Sequence, residues 1–169
     1  MDLTGEMILV HLRKHHADVV EAERVCPPFR TRFGRLSNSP RRGFVFNADR
    51  ILNRYVDYPA YLKRLSRERP FDVYHIVDHS YAQLVHALPA VRTVVTCHDL
   101  DTFRCLLEPE VERRPGWFRR LTRRTLNGLR SAAAVACDSD ATREAILRRD
   151  LVPPERLRTV YLGTHPECT

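Results

Sequence analysis

Thr93-Val94-Val95-Thr96-Cys97 followed at once by His98-Asp99-Leu100-Asp101 is the stretch that decides the fold. Four of the first five side chains are β-branched, the run has strand length, and it shows no alternation of apolar and polar positions. A continuous apolar run of this kind reads as a strand covered on both faces, the usual state of a strand in a parallel sheet. The abrupt switch to His and Asp then marks the place where the strand leaves the core.

The same form repeats on both sides. Val73-Tyr74-His75-Ile76-Val77 precedes it; Ala132 to Cys137 and Thr159 to Leu162 follow. Helical segments over 81–88, 117–130 and 142–149 separate these runs. Strands alternating with helices predict a doubly wound α/β domain built on a parallel sheet. The earlier part is less regular. A helix is predicted over 3–14, then a β-rich run at Asp18-Val19-Val20-Glu21-Ala22 that ends at Pro27-Pro28. Residues 30–46, with Gly34, Pro40 and Gly43 among arginines, read as a mobile loop. A further helix over 52–65 is expected to kink or restart at Pro59.

In such sheets ligands bind beyond the carboxyl ends of the strands, where loops and helix N-termini converge. Each run here ends in a polar cluster: Asp78-His79-Ser80, His98-Asp99-Leu100-Asp101 and Asp138-Ser139-Asp140-Ala141-Thr142. His98, leaving a buried strand beside a carboxylate, suits a general base or a phosphate contact. Asp99 can cap the turn that follows it. Ser139 with Thr142 three residues on also suits a helix N-cap, and His75, inside its strand, is expected to be a packed core histidine.

The chain has 169 residues, a net charge of +7 and a pI near 9.5, enough length for one domain with a real core. Only Lys14 and Lys63 are lysines, so the excess is arginine. Five cysteines without a C-x-x-C pair read as reduced thiols, not as a disulfide frame or zinc site. No apolar run approaches the ~20 residues of a membrane span. The start of the chain has no basic, then apolar, leader pattern. A cytoplasmic location is therefore expected.

Four segments together resemble the N-terminal domain of glycosyltransferase family four, which has two Rossmann-like domains in the GT-B arrangement. They are Phe71 to His79, Val94 to Leu100, Ala134 to Arg143, and Leu151 to Gly163. The resemblance implies a retaining, hexosyltransferase-type enzyme. It moves a sugar from a nucleotide-sugar donor to an acceptor hydroxyl, usually without a metal and with no further cofactor. By that resemblance residues 1–162 form the acceptor-side domain and 163–169 begin an interdomain linker. His98 becomes the catalytic candidate, and His79, Asp99, Ser139 and Thr142 become acceptor-binding candidates. The second histidine of the family's H-x-H pattern is Val77 here, with His79 two residues later. The family's opening strand with its glycine-rich turn and its E-x(7)-E donor element are not found in the sequence. The expectation is thus a fragment truncated at both ends, with a gap at the middle of its sheet or that gap closed in non-native register. Such a fragment would be poorly stable and inactive alone, the donor binding mainly a C-terminal domain.

Two other enzyme classes fit poorly. An HD-type phosphohydrolase needs its His and Asp on helices, whereas His98-Asp99 leaves a β-run. A serine hydrolase needs a G-x-S-x-G elbow, which is absent. The non-enzymatic alternative is a Rossmann-like module that binds an anionic surface or a protein partner. Residues 113–130, with seven arginines and no acid, form a helix with Arg119, Arg120, Arg123 and Arg124 opposite Phe118, Leu121, Thr125 and Leu129. The segment reads first as an ordinary surface helix packed on the sheet, and second as a face for peripheral contact with an anionic membrane. Nucleic acid is not expected, because aromatic residues do not interleave with the arginines.

Overall fold

The computed structural model describes residues 3–33, 42–161 and 163. The chain divides into two compact units, one from Phe29 to Tyr161 and a smaller one from Met1 to Pro28 with Leu162 to Thr169.

The larger unit is a Rossmann-like α/β domain. Its four strands are β1 (Tyr74–Ile76), β2 (Thr93–Cys97), β3 (Ala134–Cys137) and β4 (Leu157–Thr159). All neighbours are parallel and the order is β1-β2-β3-β4. The four strands pair in chain order with no open position between them among the described residues. A 3-10 segment (His79–Ala87) leads from β1 toward β2. Helices α4 (Arg104–Leu107) and α5 (Gly116–Ser131) lie between β2 and β3, and α6 (Asp140–Arg148) between β3 and β4. The last strand begins two residues before the sequence reading placed it.

The two faces of the sheet differ. Ile76, Thr93, Val95, Cys97, Val135, Cys137 and Leu157 share one face by register, and all are buried. With Phe103, Leu129, Ile146 and Val152 they form the core, each large apolar side chain contributing about 1.5–3 kcal/mol. The opposite face carries Thr96 buried, Val94, Ala134 and Ala136 half-buried, and His75 and Arg158 exposed. This face is less deeply covered than the first, and its side chains are small or polar. His75 is not a core residue; its Nε2 lies 2.7 Å from the Thr96 hydroxyl on the same face.

Ahead of the sheet run α2 (Arg42–Leu52), a π-helical turn (Asn53–Asp57) and α3 (Tyr58–Glu68). Pro59 stands in the first turn of α3. Proline has no N–H to offer, and the wider π turn just before it accommodates the restart the sequence predicted. The loop reading of 30–46 holds only in part. Residues 42–46 are helical, 34–41 lie outside the described residues, and 30–33 are pinned. Asn53, buried on the helix, accepts from Arg30 N at 2.7 Å and donates to Arg30 O at 2.8 Å. Buried Asp49 accepts from the backbone of Arg32 and Phe33, and Arg32 clamps Asp57 through two 2.6 Å bonds. Two polar side chains thus do for this segment what a neighbouring strand would do.

In the smaller unit α1 (Leu3–His15) matches the predicted helix. The predicted β-run at 18–22 is instead a turn followed by irregular chain. Val19 N and Val20 N both bond to His16 O, and Val19 is 77% exposed. β-branched residues alone do not make a strand where no partner strand supplies the ladder.

The tightest packing joins α5 to the 3-10 segment. A Cβ built on Gly128 would lie 2.0 Å from the Ala82 carbonyl oxygen. Around this approach Thr125 donates to Gln83 Oε1 and lies 3.2 Å from the Tyr55 hydroxyl, a buried polar knot. Gly128→Ala must therefore push the two elements apart and should cost at least ~2–3 kcal/mol. Gly116→Ala, where nothing lies within 4 Å, should leave stability nearly unchanged. Chemical denaturation of both variants checks the contrast.

Candidate functional site

The carboxyl ends of β1, β2 and β3 bring their polar clusters together. The register that pairs Cys97 with Cys137 sets the next residues, His98 and Asp138, side by side. His98 Nδ1 lies 3.0 Å from Asp138 Oδ2, and its Nε2 lies 3.1 Å from the Val77 carbonyl. Both partners are acceptors, so the ring satisfies both only with a proton on each nitrogen. Burial pulls the His98 pKa down. The hydrogen bond to Asp138, the Val77 carbonyl and the charges of Asp138 and Asp78 outweigh it, and the net shift is upward. An imidazolium with both N–H groups engaged has no lone pair with which to take a proton. In this geometry His98 offers fixed positive charge rather than general-base chemistry.

His79 is shifted the other way. Its side chain is 5% exposed, and burial pulls its pKa down against the opposing pull of Asp99 and Asp78. Its Nδ1 accepts from His98 N at 3.3 Å, which places the neutral ring's proton on Nε2. That Nε2 faces Asp99 Oδ1 at 3.4 Å without forming a hydrogen bond, and is left unsatisfied. The rings of His79 and His98 stand edge-on, 6.2 Å apart. Two neighbouring histidines are thus shifted in opposite directions.

Ser139 and Thr142 hold the loop. Ser139 Oγ caps α6 by accepting from Thr142 N, and Thr142 Oγ1 donates to His98 O at 2.9 Å. Since the Thr142 proton goes to His98, the 2.9 Å contact between the two hydroxyls must use the Ser139 proton. Both hydroxyl protons are therefore spent within the protein. Asp78 plays a similar part, taking Ser80 N at 2.7 Å and Ser80 Oγ at 2.9 Å.

A cleft of about 290 Å³ opens beside this cluster, lined by Asp99, Asp101, Arg104, Glu108, Thr142 and Arg149 with Leu100, Leu107, Ala141 and Ala145. Of the five residues singled out in the sequence, Asp99 and Thr142 reach its wall, while His79, His98 and Ser139 do not. Asp99 is 57% exposed and accepts from Asp101 N at 2.8 Å. Arg104 pairs with Asp101 at 2.6 Å and Arg149 with Glu108 at 2.7 Å, so the wall alternates charges. Sequence reasoning missed these arginines, and it missed Asp138 as the partner of His98. Asp138 was legible: it follows its strand at the same offset at which His98 follows its own.

The thiols beneath the site are not nucleophiles. Burial, followed by the nearby Cys137 thiol, pushes Cys97 far above its ordinary range, and burial with the Asp138 charge raises Cys137 to about 11. Among the described residues, no group of three or more His, Cys, Asp or Glu side chains is placed to hold a metal ion.

The sequence matches the family described as Glycosyltransferase Family 4 over residues 8–167. The match extends well before residue 71, where the recognisable motifs begin. No curated protein and no solved structure matches.

The His98 geometry predicts a pH signature. A histidine whose folded pKa is raised contributes stability that is fully present below its ordinary value of 6.5 and is lost as pH rises through the folded value. His98→Gln cannot carry the charge. The Tm gap between wild type and His98→Gln should be widest below pH 6.5 and narrow at higher pH, whereas a constant gap would contradict the imidazolium assignment.

Proposed function

Because the chain belongs to Glycosyltransferase Family 4, we propose that it supplies the acceptor side of a retaining hexosyltransferase. The acceptor hydroxyl enters the cleft beside Asp99. Its oxygen forms the new bond to the anomeric carbon as the bond to the donor phosphate breaks. The nucleotide diphosphate leaves with that electron pair, and the hydroxyl proton passes to the departing phosphate. The nucleotide is held mainly by a second domain, outside these residues. The observation that carries this reading is the meeting of His98, His79, Asp99 and Asp138 at the carboxyl edge of a parallel sheet.

The role of each residue follows from its charge state. Protonated His98 sets a positive charge behind the cleft, where it stabilises negative charge growing on the leaving phosphate. Asp99 is the exposed acceptor for a substrate hydroxyl, and it is held by the backbone N–H of Asp101. Ser139 and Thr142 act on the acceptor through the loop they fasten. Among the described residues no helix is long and apolar enough to cross a membrane; the reading places the domain on the cytoplasmic side.

A second reading, a domain that binds an anionic surface or protein partner without turnover, is favoured by Arg113, Arg120, Arg123 and Arg124, which are exposed and pair with no carboxylate among the described residues. The two part on one experiment. In the full-length protein, His98→Ala should lower turnover by ~10²-fold or more with the fold intact. The activity lost should be the part that wild type loses as pH rises through the His98 pKa. Wild-type turnover and an unchanged pH profile in a folded His98→Ala protein would sink the transferase role of His98.

A further inference from the structure

Helix α5 sets a basic ridge on the surface of its unit. Its buried side is Thr122, Thr125, Leu126, Gly128 and Leu129. Arg120, Arg123, Arg124 and Arg130 are exposed, as are Arg113 and Arg114 just before it. Arg119 departs from the sequence reading: it is half-buried, with an unsatisfied Nε. Several other arginines of this unit pair with carboxylates, Arg32 with Asp57, Arg104 with Asp101, Arg148 with Glu144 and Arg149 with Glu108. On this ridge Arg114 pairs with Glu112. Among the described residues, Arg113, Arg120, Arg123 and Arg124 pair with no carboxylate.

One aromatic residue completes the ridge. Trp117 is 57% exposed and edge-on to Phe118, and Val111 nearby is 68% exposed. Trp117, Arg120 and Arg124 lie at i, i+3 and i+7, so they follow one line along the helix. A tryptophan at the end of a line of unpaired arginines matches the boundary between lipid headgroups and acyl chains. The indole has an apolar body and one N–H, and guanidinium groups meet phosphates in pairs of bonds. A single-stranded nucleic acid would call for aromatics spaced through the charges, and here the one tryptophan stands at the end.

We propose that Trp117 with Arg113, Arg120, Arg123 and Arg124 is a docking ridge for an anionic membrane surface. The ridge begins near the cleft, since a helix joining two parallel strands runs back along the sheet and starts at its carboxyl edge. Docking therefore presents the cleft to the headgroup layer. The docking itself does not depend on the transferase reading and is measured without turnover.

Trp117 is the single tryptophan of the chain, so its fluorescence reports the contact directly. The full chain is titrated with vesicles of phosphatidylglycerol and phosphatidylcholine, and with vesicles of phosphatidylcholine alone. The expected result is a blue shift with the anionic vesicles, quenched by brominated acyl chains and reversed by ~1 M salt. Arg120→Glu with Arg123→Glu and Arg124→Glu should weaken partitioning by about 100-fold or more, while Tm stays near wild type. If that variant unfolds, the salt titration of wild type decides. No shift with anionic vesicles, an equal shift with neutral ones, or salt-sensitive binding to an oligonucleotide without vesicle binding would each overturn the proposal.

Discussion

His98 is clamped between two acceptors from two other strands, and the geometry of the whole edge follows from that clamp. The Val77 carbonyl comes from the end of β1 and the Asp138 carboxylate from the end of β3. The His98 backbone meanwhile donates to His79 and accepts from Thr142. One residue thus joins three strand ends and the start of α6. Loops at the mouth of a parallel sheet have no ladder to hold them. Here a charged ring and two hydroxyls do that work, so the cleft wall at Asp99 and Thr142 has defined positions before any substrate arrives.

Behind the edge, the larger unit relies on close backbone approach rather than on bulk. Gly128 lets α5 sit directly on the Ala82 carbonyl, and Thr125, Gln83 and Tyr55 fill the space with hydrogen bonds. The same strategy recurs where Asp49 and Asn53 hold residues 30–33. In both places a polar side chain buried among apolar ones is satisfied by specific partners, which restricts the arrangement more sharply than apolar contact would.

The strands, their order of appearance and the polar residues at their ends were readable because a continuous apolar run is hard to mistake for anything else. Val94 to Leu100 and Ala134 to Thr142 carried that signal. What stayed hidden depends on contacts between distant segments. Val19 and Val20 have strand propensity, but no neighbour pairs with them. His75 lies within a strand, yet it faces the less deeply covered side of the sheet, and periodicity in a three-residue strand cannot say which side is covered more deeply. The charge state of His98 was illegible for the same reason. It follows from Val77 and Asp138, which are 21 and 40 residues away in the chain.

The opposed shifts of His79 and His98 have an electrical consequence for the cleft. One ring holds its proton more tightly than an ordinary histidine and the other less tightly. Across the interval between them the pair carries one positive charge, neither more nor less. A lone histidine would change its charge through the middle of that interval. The pair instead gives the strand edge a constant charge between its two titrations, so a charged group approaching Asp99 meets the same histidine charge across that interval.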